Sequence, residues 1–388
     1  PGRKAISKAT PCRNKNNPML AAKSDFIGLE GVTHLATGGE PPLLKAHREA
    51  FDSYAHDKAR GHPGYYAHWA VAEEVRGQLA AMMSLAADDI ALVGSASTGI
   101  NSVLSSIDWR AGDNVVSAAL EYASGRYAFA RLESLGVETR LVAPTGYETD
   151  IGKLIDACDQ HTRIVYVSQV SYLTGQALDI AALSGALRER GIALLVDVSH
   201  ALGVIPVDGR LADFMVCAGY KWLLGTQTGI LTWNRAAWPD FNPLNIGWSS
   251  AAPGPTPASY QLKQSAGRAE AGNPNHLDAY LLRTSLDYLA DIGIERIAAH
   301  ARTLGGALRH ELIQLGLTVT TPEAPQARAG NICFTHPGAD RLMQLAAEDN
   351  ILIWADSGRV RLSVHAFVTP ADIARLLEKL PGYLASVG

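Results

Sequence analysis

ALLVDVSHALGVIPVDGRLADFMVCAGYK, residues 193–221, contains two short apolar runs, each ending next to a charged group. The first, IALLVDV (192–198), carries Asp197 near its end, and the second, DFMVCAGY (213–220), is followed at once by Lys221. Neither run alternates with polar residues, so both read as strands covered on two faces, the pattern of a parallel sheet rather than of a half-wetted antiparallel one. Strands of that kind direct their carboxyl ends toward a common edge, where ligands bind.

The segments on either side fit the same scheme. DIALVGS (89–95) precedes the helix-like STGINSVLSSI, and NVVSAAL (114–120) precedes GRYAFARLESLG. ETRLVAP and RIVYVSQV (163–170) add two more strands, and IAALSGALRERG supplies an amphipathic helix before residue 192. Residues 234–260, rich in Pro, Ser, Gly and Trp, read as a long irregular connection. Beyond them two long helices are expected over about 277–292 and 294–315. The strand NICFTH, the helix ADRLMQLAAEDN, the strands ILIW and RVRLSVH and a last helix follow. Thr369, Pro370 and Asp372 mark that helix's start. The expected organisation is a leader over 1–19, a large domain over 20–262 and a small α/β domain over 263–388.

Composition narrows the function classes. A net charge of −4 gives no global attraction to nucleic acid or to an anionic membrane. No run of about 18 apolar residues is present, so no membrane span is expected. Residues 1–18 carry five basic residues and no acid but lack an apolar face, and they read as a disordered leader. Cys12, Cys158, Cys217 and Cys333 are widely scattered, with no spacing that suggests a metal site. They fit the reduced thiols of a cytoplasmic protein.

The chemistry centres on Lys221 and Asp197. A lysine amine can hold an aldehyde cofactor, and a buried aspartate can keep a pyridine nitrogen protonated; pyridoxal 5′-phosphate (PLP) requires both. By itself each has a plainer explanation, a loop lysine and a helix cap. The segments VDVSHALG and CAGYKWLLGTQTG together resemble the class V aminotransferase superfamily, PLP enzymes of fold type I that include cysteine desulfurases, kynureninases and isopenicillin N epimerase-like proteins. The resemblance implies a homodimer with a mostly parallel sheet in an αβα sandwich and a smaller C-terminal α/β domain.

It also implies roles for other residues. GSASTGIN resembles the family's phosphate-binding turn and singles out Ser97, Thr98 and Gly99 at a helix N-terminus, where free N–H groups favour an anion. His200 stands where relatives place a group near the cofactor's ring oxygen. In LEYASGRY, Tyr122 or Tyr127 would stack on the ring. RIVYVSQVSYLTG resembles a kynureninase segment and adds Gln169, Ser171 and Tyr172. Tyr220 would reach the phosphate, and Asn273 in EAGNPN would reach the partner subunit's phosphate. In RVRLSVHAF, Arg361 would grip a substrate carboxylate through paired hydrogen bonds, with Arg359 as the competitor on the same strand face.

ILIWADSGRVR lacks the cysteine that desulfurases carry shortly before this arginine, so a persulfide-forming mechanism is not expected. The remaining outcomes for an α-amino acid are β-elimination of the C–S lyase type, transamination and epimerisation, and the sequence leans toward the first. A non-catalytic PLP-binding protein would lack one of Lys221, Asp197 and Arg361. A Rossmann-type enzyme would need a GxGxxG turn, which GSASTG does not provide.

Overall fold

The computed structural model describes residues 20–387. The leader expected over 1–19, with Cys12, lies outside the described residues. Among the described residues the first strand is the short β1 (Thr33–His34), followed by the helices α1 (His47–Lys58) and α2 (His62–Met83). Then come β2 (Ile90–Val93), α3 (Ala96–Ser105), β3 (Asn114–Ala118), α4 (Ala123–Ala130), β4 (Glu138–Val142) and α5 (Ile151–Asp156). β5 (Thr162–Ser168), α6 (Ile180–Arg188), β6 (Ala193–Asp197), β7 (Phe214–Ala218) and β8 (Gly229–Trp233) complete the first half.

Seven of these strands form one sheet in the order β2-β8-β7-β6-β5-β3-β4. All run parallel except β8, which opposes both of its neighbours. Both faces are buried except at the edge strand β4, as the unbroken apolar runs require: Leu194 and Val196 of β6 join one core with α2 and α6, while Ala193 and Leu195 join the other with α3 and Phe129. From β3 the chain winds out to β4 and then back through β5, β6 and β7. This reversal opens a crevice at the carboxyl edge, between the ends of β3 and β5.

The second half holds the hairpin β9 (Ala251–Pro253) and β10 (Tyr260–Leu262), then α7 (His276–Ile292) and α8 (Ile294–Gln314). The connection expected to be irregular over 234–260 therefore contains paired strand. β11 (Thr318–Val319), β12 (Asn331–Thr335), α9 (Ala339–Glu348), β13 (Ile351–Leu352), β14 (Trp354–Asp356), β15 (Arg359–Ser363) and α10 (Pro370–Val387) follow. ILIW is not one strand. Ile351 and Leu352 pair in parallel with Thr33 and His34, whereas Trp354 begins the edge strand beside β15 in the antiparallel sheet β11-β12-β15-β14. The N-terminal segment is thus stitched into the C-terminal half, with Ser363 N–H donating to the Leu35 carbonyl at 2.7 Å. α10 starts with a reciprocal cap: Asp372 N–H donates to Thr369 Oγ1 (3.2 Å) and Thr369 N–H to Asp372 Oδ2 (2.9 Å).

One glycine governs how the lysine loop sits. Gly203 adopts φ +100°, and a Cβ there would lie 2.4 Å from the Trp222 carbonyl oxygen. Gly203→Ala should therefore combine backbone strain with a clash against backbone and destabilise by about 3 kcal/mol or more. Gly185, in the exposed middle of α6 with open space around its Cα, supplies the contrast: Gly185→Ala should stabilise by roughly 0.5–1 kcal/mol. Chemical denaturation of the two variants beside the parent chain checks both signs.

Candidate active site

The parallel strands bring Asp197, Gln169 and the Lys221 loop to one edge. Asp197 ends β6 and is buried; its Oδ1 accepts from Ser199 N–H at 2.7 Å and its Oδ2 from the Tyr166 hydroxyl at 3.4 Å. Spare acceptor capacity remains on both oxygens. Gln169, just past the end of β5, has a buried Oε1 with no hydrogen-bond partner. Ser171 lies beside it, but its Oγ accepts the Leu173 and Thr174 amides at 3.2 and 3.3 Å and closes a local turn.

After β7 the chain makes a tight loop. Ala218 N–H donates to Ser199 Oγ (2.9 Å) and Gly219 N–H to the Thr228 carbonyl (2.8 Å), and Lys221 is held inside. Its Nζ lies 3.3 Å from His200 Nε2, 5.5 Å from the Tyr122 ring centroid and 5.9 Å from that of Tyr220. Among the described residues it belongs to no ion pair. Burial pushes its pKa below the ordinary lysine value, against the pull of Asp197, and Arg361 lowers it further. His200 is buried, and its pKa is driven well below the usual imidazole value by burial first and then by Lys221, Arg361 and Arg359. The ring is neutral.

α3 and α4 converge at their N-termini. Ser95 caps α3, its Oγ accepting from Thr98 N–H at 3.1 Å, and Gly99 N–H is bonded to the Ser95 carbonyl. The Ala96 and Ser97 amides are the ones for which helix geometry provides no partner. Gly99 serves packing, since a Cβ would meet Val216 Cγ1 at 2.8 Å. Ser97 Oγ donates to Ser124 Oγ of α4 at 2.8 Å. Thr98 and Asn273 line one cleft of about 390 Å³ with Gln227 and Thr228, and Asn273 Oδ1 accepts from the Tyr65 hydroxyl at 3.3 Å. Tyr122, the residue before α4, stands edge-on to Tyr172 with centroids 5.1 Å apart, and Tyr127 points away with 71% of its surface exposed. The structure brings Tyr122, not Tyr127, to Lys221.

The small sheet contributes two arginines of unlike state. Arg359 is paired with Asp356 at 2.6 Å and donates to the Tyr172 carbonyl at 2.8 Å. Arg361 is buried, joins no ion pair among the described residues, and has a buried Nε without a partner. Its one hydrogen bond goes to the Tyr172 carbonyl at 3.4 Å, and its guanidinium lies 5.5 Å from the Trp354 ring centroid. Burial lowers its pKa to about 10, so it stays charged near neutrality.

Several residues of this site escaped the sequence reading. Glu121 is buried beside Tyr122 and bridges the crevice, its Oε1 accepting from Ser168 N–H at 2.7 Å and its Oε2 from Ser168 Oγ–H. Burial raises its pKa to about 7, with Asp197 adding to the rise and Ser168 opposing it. Trp222 donates its indole N–H to His200 Nδ1 at 3.3 Å, and Asn331 Nδ2 lies 3.0 Å from the same atom. Only Glu121 carries a signal, an acid between an apolar strand and a helix start; the other two act across long sequence separations.

No described cysteine resembles a nucleophile. Cys158, Cys217 and Cys333 are free and buried, and burial pushes the Cys217 and Cys333 thiols up, the latter to about 11. The turn ahead of Arg361 is closed by two residues with positive φ, Ser357 (49°) and Gly358 (76°), between the paired Asp356 and Arg359.

The chain is similar to several known proteins. A probable cysteine desulfurase of Methanothermobacter thermautotrophicus is 28% identical over 87% of this chain and 90% of its own length. Isopenicillin N epimerase of Streptomyces clavuligerus is 28% identical over 75% of this chain and 79% of its own. A solved variant of C-DES, with glycine covalently linked to its PLP cofactor, superposes with a TM-score of 0.86 at 23% identity, covering 95% of this chain and 100% of its own. The aminotransferase class-V family model matches residues 37–375, and the chain accordingly belongs to the class V aminotransferase family of PLP-dependent enzymes.

Proposed function

We propose that this enzyme binds PLP at the edge formed by β5, β6 and β7 and acts on an α-amino acid by removing its α-proton, with β-elimination of the C–S lyase type as the outcome. The single observation that carries the reading is Arg361, a buried guanidinium without an acidic partner, close enough to Lys221 to lower its pKa. A buried cation left unpaired is costly, and a carboxylate guest offsets that cost through two parallel hydrogen bonds. Arg359, already neutralised by Asp356, is the poorer receptor.

The residues present fit the cofactor. Lys221 is half-buried and its amine bonds no carboxylate among the described residues, Asp197 keeps lone pairs for a ring N–H, and Gln169 Oε1 is a buried acceptor that still needs a donor. Lys221 would hold the aldehyde carbon, Asp197 the pyridine nitrogen and Tyr122 the ring face. His200, with Gln169, Ser171 and Tyr172 nearby, would flank the ring oxygen. Ser97, Thr98 and Tyr220 would surround the phosphate at the positive end of α3, with Gly99 packing the helix against Val216 behind them. When bound, PLP supplies an electron sink for the charge left on the substrate α-carbon.

Lys221 does the proton work. Its lowered pKa leaves a larger share of free amine near neutrality than an ordinary lysine has, which suits a base that must also return a proton. His200, being neutral, can donate a hydrogen bond beside it without adding another positive charge. Elimination is favoured over persulfide formation because the described thiols are buried and the turn before Arg361 is only two residues long. We further propose a cytoplasmic homodimer, in which exposed Asn273 reaches the partner's phosphate. The free, buried cysteines and the exposed Leu244, Trp248 and Tyr260 support this.

Three measurements test the reading. Purified enzyme should show the absorbance band of lysine-bound PLP, and Lys221→Ala should abolish it; a colourless parent chain after reconstitution overturns the cofactor site. Rebinding of PLP to the apoprotein needs the free amine. Its rate should therefore rise with pH through a midpoint below the ordinary lysine pKa, since burial depresses that of Lys221. With cysteine-type substrates, pyruvate and sulfur product should form over many turnovers. Arg361→Ala should raise KM by about 10–100-fold, the equivalent of losing a charge-assisted bond of roughly 1.5–3 kcal/mol, and Arg361→Lys should not restore it. Conversion of bound PLP to its amine form, rescued by a keto acid, would instead establish transamination.

A further inference from the structure

The hydrogen bonds around His200 have a fixed direction, set by a donor that cannot be reversed. Gly38 N–H donates to Ser363 Oγ at 3.1 Å, so the Ser363 proton is free to go to Asn331 Oδ1, 2.9 Å away. With Oδ1 accepting from Ser363, the Asn331 NH₂ faces the imidazole, and Nδ2 lies 3.0 Å from His200 Nδ1. The Trp222 indole N–H, which can only donate, reaches the same Nδ1 at 3.3 Å. Trp222 is itself anchored: its carbonyl lies 3.1 Å from His365 Nε2, and the two rings stack with centroids 5.6 Å apart. Nδ1 therefore receives two donors.

We propose that Asn331 and Trp222 are positioning residues that fix His200 as the Nε2–H tautomer, a one-way proton donor turned toward Lys221 Nζ at 3.3 Å. In this form His200 cannot compete with Lys221 for the substrate proton. It donates to the free amine, or to an anionic oxygen seated beside it, and leaves basicity to Lys221 alone. Asn331 lies on β12, two residues before the Cys333 that pairs with Arg361, while Trp222 is the immediate neighbour of Lys221. The tautomer thus ties the strand carrying the carboxylate-binding arginine to the loop carrying the base. The inference deepens the reading of Lys221 as the proton-moving group and rests on it for its purpose, but its test needs no turnover.

The test uses full-length, PLP-loaded enzyme labelled with ¹⁵N-histidine, with the His200 ring assigned by its loss in His200→Gln. Two-bond ¹H–¹⁵N correlation should show a pyrrole-type Nε2 and a pyridine-type Nδ1 in the parent. Asn331→Asp combined with Trp222→Phe leaves an acceptor oxygen and no donor at Nδ1 and should switch the ring to Nδ1–H. Trp222→Phe removes one of two donors; it should keep the tautomer while shifting the Nδ1 resonance downfield toward that of a free pyridine-type nitrogen. A parent ring protonated on Nδ1, or a double variant folded by near-UV circular dichroism that retains Nε2–H, overturns the proposal. Should the double variant fail to fold, an unmoved Nδ1 resonance in Trp222→Phe does so instead. An Nε2–H ring in an enzyme without α-proton exchange would sink the catalytic reading and leave the tautomer assignment standing.

Discussion

A lysine amine enclosed by protein, with no carboxylate bonded to it, is the constraint on which this molecule depends. An isolated charge in such surroundings is expensive, and the fold answers by shifting Lys221 toward its neutral form. Arg361 repeats the situation a short way off, except that a guanidinium cannot shed its proton at useful pH and stays charged. Asp197 is a buried counter-charge, and the N-terminus of α3 lies at the same end of the sheet. In the proposed reading these groups receive two anions, the cofactor phosphate at α3 and a substrate carboxylate at Arg361.

What could be read from the chain was the part that local pattern controls. Continuous Val, Ile and Leu runs gave away the parallel sheet, and their carboxyl ends located Asp197, Gln169 and the Lys221 loop, because period and topology act within short windows. Tyr122 and Arg361 could be narrowed only to pairs of candidates. Which tyrosine turns inward depends on how α4 is set down, and which arginine is neutralised depends on Asp356, three residues from one and five from the other. Glu121, Trp222 and Asn331 stayed hidden because their partners, Ser168 and His200, are brought close only by the closed fold. ILIW misled because the residue pair at its start belongs to β1, more than three hundred positions earlier.

The family relationship and the local chemistry answer different questions. Membership accounts for the sheet, the lysine and the cofactor, features shared by enzymes with unlike products. In the proposed reading the choice among reactions falls to details at the rim: a two-residue turn where a longer loop could carry a thiol, buried cysteines with raised pKa values, and an imidazole whose proton faces Lys221. These features direct charge and protons rather than supply a second nucleophile.

The pairing of β1 with β13 has a consequence for biosynthesis. Thr33 and His34 leave the ribosome more than three hundred residues before their partners, Ile351 and Leu352. The Leu35 carbonyl likewise waits for Ser363, and Gly38 for the hydroxyl that orients Asn331. Contacts this distant in sequence are slow to form, because a long loop must close before they contribute anything. A chain interrupted before β13 would therefore carry the Lys221 loop without β15 and the arginines on it. Assembly of the proposed site thereby waits on residues made long after the lysine loop.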